Sequence, residues 1–304
     1  MTRFIALGHR RMHLLSCLHR MLAPIVLMTS TVLGTSCQAY ESVSFAATMP
    51  FVARSISLKA EMFKPKGSGP FPAVVLMHGC SGWQPAVLGA LHTHAMHFLD
   101  RGFVVLNLDS FGPRGNEGGA LCNSNVQLAR AIHYRTHDAF DALRYLRSLA
   151  IVDRGRTFLM GQSNGGSVAI NAAKASSTSG FRAVAAYYPW CGSLGSASVK
   201  LASPLIIFSG GRDDWVPARE CRNRRSSGQP LKVIEYPNAA HSFDLQIATQ
   251  RYLGKLIGYD RFATENSRAR MVEFFNIQTP SQQMIAPIAA KGDRVGSGLL
   301  NYSE

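Results

Sequence analysis

At 304 residues and 46% apolar composition, the chain carries enough core for one large domain or two small ones, which excludes wholesale disorder. Its formal charge is +14, with 16% of residues charged. No dense Lys/Arg run with interleaved aromatics accompanies that charge, so nucleic acid is not an expected partner.

Residues 1–39 contain no Asp or Glu and carry Arg3, Arg10, Arg11 and Arg20. An apolar run, 21–33, follows, then small residues ending Cys37-Gln38-Ala39. The pattern reads as a secretory signal peptide cut after Ala39. The run is too short for an ordinary membrane span; left uncut, the leader would instead act as an anchor. Gly34 argues against a lipoprotein site at Cys37, and no clean twin-arginine motif surrounds Arg10-Arg11. Removing the leader lowers the charge from +14 to +10. The expected location is periplasmic or secreted, with no stable membrane insertion once the leader is gone.

Beyond the leader, residues 52–63 read as an edge strand or hairpin. The apolar run 72–77 suits a strand buried on both faces. A helix follows over 87–100, closed by Arg101-Gly102, and a second buried strand over 103–108. Residues 109–124 form a Gly-rich loop. A helix over 125–149 has Ala139, Ala142, Leu143 and Leu146 at three- and four-residue steps. Strands are expected at 157–160, 183–187, 205–209 and 231–235, the last of these ending the sheet. Helices are expected over 166–175, from near Ala218, and over 261–275. The basic cluster Arg219 to Arg225 reads as a solvated helix face. This rhythm predicts a mostly parallel, doubly wound sheet with helices on both faces. The expected domain spans 40–277, with a loosely ordered tail over 278–304.

Loops that follow strands carry the chemistry. Gly161-Gln162-Ser163-Asn164-Gly165 is a G-x-S-x-G pentapeptide between a strand and a helix, the context of a nucleophile elbow. A serine nucleophile needs a base, a group to orient that base, and donors for an oxyanion. After strand 205–209 comes Gly211-Arg212-Asp213-Asp214-Trp215; Asp213 is the favoured orienting acid and Asp214 the second candidate. After strand 231–235 comes Ala240-His241-Ser242-Phe243, and His241 is the candidate base. After strand 72–77 comes His78-Gly79-Cys80-Ser81-Gly82. The backbone N–H of Cys80, with that of Asn164, is the candidate oxyanion hole. A thiol nucleophile at Cys80 is the weaker alternative, since it leaves the serine elbow without a purpose.

Four cysteines remain after the leader: Cys80, Cys122, Cys191 and Cys221. An even count in an exported chain favours two disulfides. Cys80–Cys122 and Cys191–Cys221 are preferred among three connectivities, because each pair joins loops at the same rim of the predicted sheet. No C-x-x-C or C-x-x-H spacing points to a metal, and no cofactor is called for.

With these motifs in order, the chain resembles the dienelactone hydrolase family of α/β-hydrolases over about residues 52–275. The loop Asp109-Ser110-Phe111-Gly112-Pro113-Arg114-Gly115 adds to the likeness. The resemblance implies an α/β-hydrolase fold with Ser163 as nucleophile, Asp213 as orienting acid and His241 as base. Two departures bear on substrate. The namesake enzymes use a cysteine in G-x-C-x-G, where this chain has Ser163. They also hold the substrate carboxylate with arginines. Arg114 matches the first, but no arginine follows His241 until Arg251. Ester hydrolysis is therefore expected more than dienelactone hydrolysis.

The short connection between strands 183–187 and 205–209 predicts no large lid. The open cleft is expected to be lined by Trp83, Tyr188, Trp190 and Trp215, with Arg114 as a further substrate contact. The expected activity is that of an exported serine hydrolase of carboxylic esters or lactones, acting through an acyl-enzyme on small or polymeric substrates. A thioesterase or serine peptidase on the same fold stays open, as does a non-catalytic envelope binding protein.

Overall fold

A computed structural model describes residues 40–49, 54–115, 119–175, 180–195 and 197–278. The expected leader, and the expected tail beyond residue 278, lie outside the described residues. The strands are β1 (Glu41–Ala46), β2 (Ser57–Phe63), β3 (Phe71–Met77), β4 (Val104–Asp109), β5 (Val152–Gln162), β6 (Val184–Tyr187), β7 (Ser198–Leu201), β8 (Leu205–Gly210), β9 (Arg225–Gly228), β10 (Leu231–Tyr236), β11 (Gln250–Tyr252) and β12 (Lys255–Ile257). The helices are α1 (Pro85–Leu99), α2 (Asn125–Ser148), α3 (Asn164–Lys174) and α4 (Arg261–Ile277).

Eight strands form one sheet in the order β1-β2-β4-β3-β5-β6-β8-β10. The β1–β2 and β2–β4 pairs are antiparallel, and every later pair is parallel. The parallel strands are apolar on both faces because helices cover both. Ala73, Val75 and Met77 of β3 join a core cluster with Ala139, Leu143 and Ile170 from α2 and α3. Val74 and Leu76 turn the other way, into a cluster with Leu91, Phe98 and Phe275 from α1 and α4. This period of two follows from the pleat. Phe158 of β5 stacks on Phe275 with centroids 4.5 Å apart, which ties α4 to the sheet.

Local signals set the helix ends. Pro85 opens α1, where its missing N–H costs nothing. Ser124 Oγ accepts from the Gln127 N–H at the start of α2, and Asp260 Oδ1 accepts from the Ala263 N–H at the start of α4.

Several expectations need correction. The edge strand is β1, not the 52–63 segment; β2 lies inside it, paired to β4. No long helix begins near Ala218. That stretch is a single 3-10 turn, Ala218–Glu220, followed by β9, so the basic cluster from Arg219 to Arg225 is not a helix face. Nor is the 231–235 strand the last: β11 and β12 form a two-stranded ribbon after β10. The β6–β8 connection holds a 3-10 turn and β7, which pairs with β9.

The chain passes from β3 to β4 on one side and returns to β5 on the other. The loops after β3 and β5 therefore flank one crevice at the carboxyl ends of their strands, where open α/β sheets place their sites.

Candidate active site

Ser163 sits between β5 and α3 with φ 51° and ψ −113°. A positive φ is costly for a residue with a side chain, and the close approach of its neighbours enforces it. A Cβ on Gly161 would meet Gly165 O at 2.1 Å, and one on Gly165 would meet His78 O at 2.5 Å. Glycine at both positions lets the elbow close against the β3 loop. The Ser163 N–H donates to Tyr187 O (2.9 Å) on β6.

His241 lies in the loop after β10 and Asp213 in the loop after β8. Ser163 Oγ lies 3.1 Å from His241 Nε2, and His241 Nδ1 lies 2.7 Å from Asp213 Oδ2. Facing a carboxylate, Nδ1 carries the proton, which leaves Nε2 to accept from Ser163. The other oxygen, Asp213 Oδ1, accepts from the N–H groups of Trp215 and Val216, each at 2.9 Å. Both Asp213 and His241 are buried. Tyr188 and Trp215 pack on the imidazole, with ring centroids 4.7 and 5.1 Å away.

Asp214, the second candidate for the acid, does something else. Its carboxylate accepts from the Leu256 N–H (2.7 Å) and pairs with Arg251 (2.9 Å), which holds the β11–β12 ribbon. The ribbon in turn meets the histidine loop, where the Gly258 N–H donates to His241 O and Ile257 bridges to His241.

Asn164 is the first residue of α3, where the N–H has no intrahelical acceptor. Cys80 lies in the adjacent β3 loop, and both residues border the crevice. One residue that sequence reasoning missed braces both loops. Arg135 of α2 is fully buried; its guanidinium donates to His78 O (2.7 Å) and to Asn164 Oδ1 (2.6 Å). Burial lowers its pKa to about 10, so it stays charged at neutral pH. Burial, reinforced by Arg135, also holds His78 well below the ordinary histidine value. Neutral His78 accepts the Ser110 N–H at Nε2 (3.3 Å).

A second missed residue is Asp244, three positions after His241. It is fully buried and accepts from His94 Nε2 (2.7 Å), Gln162 Nε2 (2.7 Å) and Tyr188 Oη (2.5 Å). Burial alone would raise its pKa, but these three donors outweigh it and the net shift is downward. Burial also keeps His94 below its ordinary value, so a neutral imidazole donates to an ionised carboxylate. Asp244 thus links α1, the residue before Ser163, and the tyrosine that packs on His241.

The crevice has two lobes that meet at Ser163. The first, about 380 Å³, is bordered by His241, Tyr188, Leu245, Ile247, Tyr252 and Ile257, among others. The second, about 310 Å³, includes Leu128, Ile132, Trp190, Val216 and Glu220. Cys80 and Trp215 border both. The disulfides Cys80–Cys122 and Cys191–Cys221 clamp the surrounding loops in the preferred pairing.

Two expected substrate contacts are corrected. Arg114 does not reach the crevice. Its guanidinium forms a bidentate pair with buried Asp138 (2.8 Å each) and donates to Ser110 O, so it braces its own loop. Trp83 borders neither lobe and packs instead against the core on the α1 and α4 side.

The sheet order and the elbow define an α/β-hydrolase fold. Residues 58–278 match the dienelactone hydrolase family, and the chain belongs to that family. No curated protein matches the sequence. Among solved structures, the chain is similar to the dienelactone hydrolase-like promiscuous phosphotriesterase P91 from metagenomic libraries. That likeness has 19% identity and a TM-score of 0.56, and covers 79% of this chain and 99% of that one. It is also similar to esterase 2 of Thermogutta terrifontis, in a structure phosphorylated by paraoxon. There the identity is 19% and the TM-score 0.52, over 78% of this chain and 94% of that one. At such identities the structural likeness speaks for the fold alone.

Proposed function

We propose that this protein is an exported serine hydrolase of carboxylic esters. The observation that carries this reading is the unbroken chain Ser163 Oγ–His241 Nε2 (3.1 Å) and His241 Nδ1–Asp213 Oδ2 (2.7 Å), set on a strained elbow. In the proposed reaction Ser163 Oγ attacks the ester carbonyl carbon as His241 Nε2 takes its proton. The N–H groups of Cys80 and Asn164 receive the oxyanion. The C–O bond to the alcohol then breaks, and His241 protonates the departing oxygen. Water attacks the acyl-enzyme by the same route and frees Ser163. Asp213 holds the tautomer and stabilises the imidazolium, with Tyr188 and Trp215 packed on that ring.

Family membership and the names of the similar structures, an esterase and a phosphotriesterase, support an ester-type substrate. The two disulfides fit an oxidising compartment and so support export. The locked Arg114 leaves no matched arginine for a substrate carboxylate, which argues against a dienelactone substrate. The assembled Ser–His–Asp chain argues against a purely binding role. Kinetics of p-nitrophenyl acetate, a p-nitrophenyl thioacetate and a peptide anilide test the reading. The oxygen ester is expected to be cleaved, with Ser163→Ala losing at least about 10³ in kcat. Full ester activity in Ser163→Ala would overturn the reading.

A further inference from the structure

His241 borders the first lobe and not the second. The leaving oxygen must lie within reach of His241 to be protonated, so the alcohol side occupies the first lobe. The second lobe then takes the acyl side. Resting on the ester reading above, we propose that the second lobe is a subsite for an acyl group that carries a positively charged alkylammonium.

Three observations support this. Glu220 borders the second lobe, and its carboxylate has no hydrogen-bond or ion-pair partner among the described residues. Two nearby arginines turn elsewhere. Arg222 pairs with Glu235, and Arg224 donates to the carbonyls of Glu220 and Gly195. Among the described residues, no lysine, arginine or histidine borders the lobe.

Second, the lobe has two indoles on its wall, Trp190 and Trp215. Trp190 is held in place yet 47% exposed. Its ring lies so close to Gly192 that a Cβ there would meet Cζ2 at 2.2 Å. Indole faces attract ammonium groups, and tryptophan does so best among aromatic residues. Third, Trp190 and Glu220 each directly precede a cysteine of the Cys191–Cys221 disulfide. That link holds the backbone of the aromatic wall beside the backbone that carries the carboxylate, which limits how far the two can part.

The remaining wall has a polar part, Asn125 and Ser167, and an apolar part that suits the methyl groups of an alkylammonium. Leu128, Ala129, Ile132 and Val216 make up that apolar part, where methyl and methylene groups around one diffuse charge lose no hydrogen bond.

The test compares two p-nitrophenyl esters with one leaving group. One carries a γ-trimethylammonio-butyryl group; in the other a tert-butyl group replaces the trimethylammonium. The readout is the ratio of kcat/KM for the cationic over the neutral ester, in wild type and in Glu220→Gln. The neutral ester serves as the internal reference for folding and for the catalytic groups. The ratio is expected to fall about tenfold in Glu220→Gln and to fall also in Trp190→Leu. An equal ratio in wild type and Glu220→Gln would overturn the subsite. If neither ester is cleaved, p-nitrophenyl acetate decides the ester reading separately, and tryptophan quenching by tetramethylammonium decides the subsite. Saturable quenching that is lost in Glu220→Gln supports it; quenching that does not saturate, or survives in that variant, overturns it.

Discussion

Arg135 carries a charge into the molecule to hold two loops at once. Its two donors fix the carbonyl two residues before Cys80 and the side chain of Asn164, the residues whose amides are proposed to bind the oxyanion. Arg135→Met is therefore expected to lower kcat by about 10² with KM changed less than about threefold, because small misplacements of catalytic donors are felt mainly in the transition state. Steady-state kinetics on p-nitrophenyl acetate, with circular dichroism to confirm folding, measures this; an unchanged kcat would remove Arg135 from the site. The loops that bring Ser163, Asp213 and His241 together were legible in the sequence because each follows an apolar run. Asp244 was not. Its partners Gln162 and His94 lie 82 and 150 positions away, and no local pattern records such distances. Arg114 misled for a related reason. Its loop reads the same whether the guanidinium faces a substrate or Asp138 on the following helix.

The β11–β12 ribbon is the element that closes the first lobe, and one surface carboxylate fastens it. Asp214 holds the Leu256 N–H and Arg251, while Tyr252 and Ile257 face the lobe. Asp214→Ala should loosen the ribbon at a stability cost of about 1 kcal/mol or less, since the pair is exposed. KM for acetate esters of long-chain alcohols, whose alkyl group occupies this lobe, is expected to rise about two- to tenfold, while kcat for ethyl acetate stays within about twofold. A series of alkyl chain lengths measures this, and equal effects on short and long esters would contradict it. The parallel strands β3, β4, β5, β6, β8 and β10 were legible as short apolar runs, the first four of them separated by helices. The strands β7, β9, β11 and β12 have three or four residues each, too few to show a period. β1 pairs on only one side and sends just Val43 and Phe45, both half-buried, onto the core, which is too short a pattern to mark a strand.

The whole molecule depends on pH through histidines that burial keeps neutral. His78 and His94 are fully buried with pKa values below 6.5, and half-buried His97 is lowered by burial to about 4. In the unfolded chain these groups take up protons near pH 6.5; in the folded protein they do not. Stability is therefore present above about 6.5 and lost as pH falls below it, with each fully buried histidine contributing up to about 1.4 kcal/mol per pH unit. Urea unfolding between about pH 6.5 and 5, above the ordinary carboxylate range, is expected to show this loss; a flat profile would contradict it. The two disulfides, which close separations of 42 and 30 residues, each add about 3–4 kcal/mol through the unfolded chain. In the proposed reaction His241, oriented by Asp213, makes Ser163 the nucleophile. Reaction with a fluorophosphonate, followed by peptide mass spectrometry, tests it most directly. One adduct is expected on the peptide that contains Ser163, formed at least about 10³ slower in His241→Ala and absent in Ser163→Ala. Labelling at another residue, or undiminished labelling in His241→Ala, would contradict the account.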